Sequence, residues 1–288
     1  MKKNNIISIV MIAVVVFILL PKISKAQDPF ENGLKLKVDS MISAKAIFSL
    51  ADVTLLPNNG THSIMTPTGW VGNSTYLFAL LGGVFPAEYV KPNKGDLIGS
   101  FGIGFGNPSK YFGISASVNI TRITELRDFS GNIILSRKLF KASSIAIGGV
   151  QLFANQKVSD APDGTYYISF SHAVQSVKSS EAGYSGLIYT IGIGNGRFLY
   201  KSPWDIASGK GKHGTGIFAN VSYEVLKNVN VNVEWSGLNL GFSTGFQPVK
   251  DSPLIIGLGV YNLTKNSGDR VSMIGTIGCP FSLSKSKK

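Results

Sequence analysis

From Asn228 to Trp235 polar and apolar side chains alternate without a break: Asn, Val, Asn, Val, Asn, Val, Glu, Trp. In a strand successive side chains point to opposite faces. Val229, Val231, Val233 and Trp235 then share one face, and Asn228, Asn230, Asn232 and Glu234 the other; no helix sorts them this way. The period returns along the chain. Ile114, Ala116, Val118 and Ile120 oppose Ser115, Ser117, Asn119 and Thr121. Ile217, Ala219, Val221 and Tyr223 oppose Phe218, Asn220, Ser222 and Glu224, while Leu238, Leu240 and Phe242 oppose Asn239, Gly241 and Ser243. Leu254, Ile256, Leu258 and Val260 stand against a thinner face of Ile255, Gly257, Gly259 and Tyr261.

The pattern predicts about twelve strands, at 75–84, 97–105, 111–121, 131–139, 143–153, 165–176, 184–194, 214–225, 228–235, 238–247, 253–262 and 271–283. Tilted strands of about nine to eleven residues cross the hydrocarbon core of a bilayer. Charged residues make up 15% of the chain, against roughly 25% in soluble domains. Glycine reaches 33 of 288 residues, and no second long apolar run follows the first. Few charges suit a lipid-facing exterior, and glycine suits a crowded lumen. The expected fold is therefore all-β, a transmembrane antiparallel up-and-down β-barrel; a secreted β-sandwich is the alternative that also alternates.

Connections add a second signal. Counting from the first strand, one set centres on 85–96, 122–130, 154–164, 195–213, Ser236-Gly237 and 263–270, and the other on 106–110, 140–142, 177–183, 226–227 and 248–252. Apart from Ser236-Gly237 the first set is the longer, as outer loops are against periplasmic turns. Aromatic residues gather at the strand ends: Phe105, Tyr111, Phe140, Tyr223, Phe246 and Phe281 on the short-turn side, and Phe85, Phe153, Tyr166 and Trp235 on the other. Interfacial girdles and plain strand propensity both account for them.

The N-terminus speaks for export. Lys2 and Lys3 precede Ile6 to Leu20, apolar except for Ser8, then Pro21 and the small residues Ser24 and Ala26. This order is that of a secretory signal peptide, residues 1–26, with cleavage between Ala26 and Gln27. The apolar run is short against the roughly 20 residues of a membrane-spanning helix. Removing it takes away Lys2, Lys3, Lys22 and Lys25 and leaves a net charge of about +8. The remaining Lys and Arg residues are scattered over turns, so nucleic acid is not an expected partner. Cys279 is the single cysteine, and no internal disulfide can form. Residues 27–74 form an N-terminal extension ahead of a barrel at 75–288. Asp39 or Ser40 could cap a short helix through Leu50, and Pro57-Asn58-Asn59-Gly60 signals a turn. A periplasmic segment, a lumen plug and an extra strand all remain open for it.

Thr276, Gly278, Phe281 and Leu283 resemble the C-terminal signal read by the barrel-assembly machinery, with Pro280 and the extension Ser284 to Lys288 as departures. From about Thr66 the chain resembles small outer-membrane barrels akin to the YjbH-type exopolysaccharide-associated proteins. The carriers are Thr66-Pro67-Thr68-Gly69, Gly102-Ile103-Gly104-Phe105-Gly106-Asn107-Pro108, Gly192-Ile193-Gly194-Asn195-Gly196-Arg197-Phe198 and Glu234-Trp235-Ser236-Gly237-Leu238-Asn239-Leu240. That resemblance implies a barrel with an envelope role and supplies no ligand.

The two Gly-rich pieces lie within strands and precede no helix, so they do not read as a dinucleotide fingerprint. His62, His172 and His213 share no metal-ligand spacing. Outer-membrane phospholipases are also twelve-stranded and use His, Ser and Asn on the outer face. Here Ser171-His172 is the nearest material, with Val174 standing where that family's Ser would be. The expected lumen lining is Asn119, Lys138, Glu224, Asn230, Asn232 and Glu234, with the two glutamates pairing with lumen cations such as Lys138. Arg197, Lys201, Lys210, Lys212 and His213 make the longest loop basic. The chain is thus expected to be a non-enzymatic, cofactor-free outer-membrane protein, a narrow pore or envelope component for small or anionic solutes or polysaccharide. A structural or surface-interaction barrel with a filled lumen is the alternative. Outer-membrane lipid and lipopolysaccharide are the expected surroundings.

Overall fold

The computed structural model describes residues 54–87, 94–123, 126–155, 163–248 and 252–283; the expected signal sequence with its expected Ala26–Gln27 junction, and residues 27–53, lie outside them. Twelve strands run in chain order: β1 (Tyr76–Phe85), β2 (Asp96–Gly106), β3 (Gly113–Arg122), β4 (Arg127–Lys138), β5 (Ser143–Leu152), β6 (Thr165–Ala173), β7 (Leu187–Gly194), β8 (Ile217–Leu226), β9 (Val229–Trp235), β10 (Leu240–Phe246), β11 (Ile255–Tyr261) and β12 (Ser272–Ser282). Each pairs antiparallel with its neighbours in sequence, and β12 pairs with β1 from Met273–Phe85 to Ser282–Tyr76. The barrel is closed, which removes the sandwich alternative and leaves no sheet edge facing lipid.

The alternation sorts as its chemistry demands. On β9, Asn230, Asn232 and Glu234 are fully buried inside, whereas Val231 and Val233 are 38% and 39% exposed on the outer wall. Phe101, Val118, Ile133, Ile191, Val221, Phe242, Leu258 and Ile277 are exposed on the same outer surface. An apolar exterior around a polar interior is the arrangement of a transmembrane barrel. Val231 lies near the middle of β9, so Val231→Arg should destabilise the folded barrel by about 2–4 kcal/mol, read as the urea midpoint of refolding into liposomes.

Several boundaries differ from the sequence reading. Strand β4 begins at Arg127, so the connection after β3 shrinks to 123–126; the backbone ladder runs on to Arg122 paired with Arg127, and Asn119 and Asn132 bond to each other across the two strands. Asn228 is not the first residue of β9 but a turn residue at φ 60°, which lets the chain reverse directly after Lys227. The connection 174–186 is long although it lies on the short-turn side. It folds over that end of the barrel, where Tyr184–Ser185 pairs in parallel with Leu56–Pro57. Pro280 lies beyond the last β11–β12 pair, Ile255 with Gly278, so on that edge no ladder donor is required of it. Thr276 lines the interior, while Phe281 and Leu283 are exposed outside.

Candidate functional site

The interior is occupied in part by the chain itself. Residues 54–75 run into it and are bonded to its wall, and Glu234 is the anchor. Its carboxylate accepts hydrogen bonds from the Ile64 and Met65 amides at 3.0 Å, from the Thr66 amide and hydroxyl at 3.1 Å, and from the Ser63 hydroxyl. Ser243 on the neighbouring strand donates the last, at 2.6 Å. Three consecutive amides converging on one carboxylate make a nest of donors that replaces the water the charge has lost.

Further bonds fix the segment on both sides of this apex. Asn58 donates to the Ser185 carbonyl and accepts from Asn230, each at 2.9 Å, and Asn220 donates to the His62 carbonyl. On the far wall the Gly69 amide donates to Ser171 Oγ at 2.7 Å, and Ser136 donates to the Gly69 carbonyl at 2.5 Å. Trp70 then packs on Ala142, Ala173 and Ile188. The wall has made room for the insertion. A Cβ at Gly241 would lie 2.2 Å from Met65, one at Gly245 2.1 Å from Thr61, and one at Gly257 2.7 Å from Ile64.

Ile64 and Met65 form part of the lining of a chamber of about 580 Å³. Its apolar side carries Phe78, Leu80 and Val84 of β1, Ile98 of β2 and Ile274 of β12; its polar side carries Ser115, Ser117, Asn119, Ser130 and Asn132 of β3 and β4. Phe198, which lines the same chamber, stacks with Tyr167 and Phe218 inside the barrel, its ring 4.4 Å from that of Phe218.

The loop between β7 and β8 is tied down by one buried carboxylate. Helix α1 (Pro203–Ala207) carries Asp205, which accepts from Ser267 at 2.6 Å, the Gly268 amide at 2.9 Å and Ser202 at 3.1 Å, and faces Lys210 at 3.2 Å. Lys210 also meets Asp269 at 2.8 Å. Burial pushes the Asp205 carboxyl up, but the bonds from Ser267, Lys210, Gly268 and Ser202 together outweigh it and hold it below its usual range. A depressed folded pKa means a tether fully present above the ordinary carboxylate range and lost as pH falls through the lowered value. Asp205→Asn should therefore speed trypsin cleavage after Lys210 at pH 7 by roughly tenfold, while wild-type loop amides should lose hydrogen-exchange protection only in strong acid.

The expected lining residues separate into different roles. Asn230 and Glu234 contact the inserted segment, whereas Asn232 donates to Ser243 at 3.0 Å beside it. Asn119 lines the chamber and bonds to Ser130 and Asn132. Glu224 sits at the other end, accepting from Ser180 and the Asn228 amide. Lys138 closes β4 and makes no ion pair with either glutamate; neutral donors satisfy both carboxylates, so the expected pairing is corrected. Of the basic loop residues, Lys210 is held by Asp205 and Asp269, and Lys201 by the Lys210 carbonyl and Asn266.

Sequence reasoning missed the donors at 63–66, because backbone amides leave no signature. The available signal was that Lys138, the inward cation expected for Glu234, lies on a strand that does not neighbour it. It also missed Ser143, whose hydroxyl lies 2.6 Å from His172 Nδ1 across the β5–β6 pair, with the Tyr189 ring alongside. A same-strand pattern cannot find a cross-strand pair. Ser143 is fully buried.

No protein-family profile and no curated protein matches the chain. Among solved structures it is similar to outer membrane phospholipase A from Escherichia coli, at 9% identity over 73% of this chain and 96% of that one, with a TM-score of 0.36. A calcium-bound dimer of the Salmonella typhi outer membrane phospholipase matches at 9% identity over 73% and 91%, with a TM-score of 0.37. These neighbours are phospholipases, so the expectation of a non-enzymatic chain is withdrawn, and the likeness carries no argument for an activity of this chain. At such identities the likeness concerns the barrel alone.

Proposed function

We propose that this chain is an outer-membrane barrel forming a narrow passage for small solutes, closed at rest by its own segment 54–75. The clamp on Glu234 carries the reading: three successive amides and three hydroxyls meet one carboxylate inside the barrel wall. Such a contact holds an inserted segment without covalent attachment, and it can be released. Export by residues 1–26 and recognition of Thr276, Gly278, Phe281 and Leu283 by the assembly machinery complete the reading, with lipid and lipopolysaccharide around the wall. Polysaccharide and anionic solutes are the classes for transport assays. Lys201 and Lys210 serve the loop, which leaves fewer cations for anion capture.

Planar-bilayer recording tests the passage. The wild-type protein should be nearly silent, and a variant lacking residues 54–74 should conduct in steps. A folded, heat-modifiable deletion variant that stays silent would sink the passage and leave the filled-lumen, surface-interacting barrel in its place.

A further inference from the structure

Beside the charged Asp96, Asp128 and Arg197, the chamber lined by Ile64 and Met65 has one apolar wall and one polar wall. Phe78, Leu80 and Val84 point inward from β1 and continue onto Ile98 and Ile274. The outward positions of β1 are apolar as well, with Leu81 and Phe85 exposed to the exterior. A water-filled lumen calls for polar residues on the inner phase of such a strand. Leu80 is nevertheless 38% exposed while lining the chamber. Hydrated apolar surface inside a cavity favours an apolar occupant.

The facing wall offers hydrogen-bond donors whose direction is fixed from behind. Ser117 Oγ accepts from Asn132 at 3.0 Å, and Ser130 Oγ accepts from Asn119 at 3.1 Å. The two asparagines bond to each other in both directions at 3.0 Å, which locks their amides. With their oxygens engaged, the two hydroxyls keep an O–H to donate. The complement of these two hydroxyls is an oxygen acceptor.

We propose that the chamber binds a single-chain amphiphile, its alkyl body on Phe78, Leu80, Val84, Ile98 and Ile274 and its hydroxyl or ether oxygens on Ser117 and Ser130. A volume of about 580 Å³ lies inside the range of small-molecule sites, roughly 300–1,000 Å³. The site does not depend on the passage opening, because Ile64 and Met65 line it while the inserted segment is docked.

The test is calorimetric titration of the full-length protein, trapped in amphipol, with 1,2-octanediol and with glycerol. Heat-modifiable migration first establishes that each variant is folded. The wild type should show one saturable site for the diol and none for glycerol. Leu80→Asp should weaken diol binding at least tenfold, and Ser117→Ala with Ser130→Ala should weaken it severalfold. Non-saturable uptake identical in wild type and Leu80→Asp overturns the site. Glycerol binding as tightly as the diol removes the role of the apolar wall, and an unaffected double serine variant removes the polar half; either outcome overturns the assignment.

Discussion

Replacing Glu234 by Gln is expected to raise the open-to-closed ratio of the barrel by roughly 30- to 1,000-fold. Gln keeps the shape of the side chain but turns one acceptor into a donor, in a place where the Ile64, Met65 and Thr66 amides already donate. Bonds to a charged acceptor contribute about 1.5–3 kcal/mol each, and buried donors left unmade cost about as much again, so a loss of about 2–4 kcal/mol in docking is conservative. Each 1.4 kcal/mol is about a factor of ten. The barrel itself should survive, because its ladder is built from backbone bonds that do not pass through this carboxylate. Glu234→Leu should behave alike: it relieves the cost of burying a charge yet leaves the same amides unpaired. Step conductance in planar bilayers reads the effect, with heat-modifiable migration unchanged. A Gln variant as silent as wild type would show that the clamp does not hold the segment in place.

Much of this architecture is legible in the sequence because strand alternation is a local property. Val229 to Trp235 declare their two faces whatever surrounds them, and twelve such declarations give the wall. The twelve expected strands agree with those found to within four residues at each end. What fills the interior is not local. Asn230 reads as a pore residue on any strand pattern, yet its amide is given to Asn58, far away in the chain. Glu234 invites a lumen cation such as Lys138, but its partners are backbone amides that every residue type carries. The inward glycines 241, 245 and 257 read as lumen crowding. Only the inserted Thr61, Ile64 and Met65 show what they make room for. Ser143 and His172 likewise meet through strand register, which no single-strand motif encodes.

Gly245→Ala should release the segment by a route that leaves Glu234 untouched, and Thr61→Gly should restore it. A Cβ at position 245 would lie 2.1 Å from Thr61 Cβ, 2.3 Å from its Oγ1 and 2.9 Å from its Cγ2. These are the atoms nearest the inserted backbone rather than the far end of a long side chain, so rotation alone does not clear them. Wall and segment must separate locally. Overpacking of this kind costs about 1–3 kcal/mol, which corresponds to roughly 5- to 150-fold in the open-to-closed ratio. No barrel-wall atom is among the three that the new methyl would meet, so the strand pairing of β10 with β9 and β11 should hold. In the double variant the methyl takes the space that the threonine side chain gives up, and closure should return to near the wild-type level. The non-additivity is the decisive quantity. Two single substitutions that open the barrel, or leave it closed, with purely additive effects in combination would mean that Thr61 does not lie against Gly245 in the membrane.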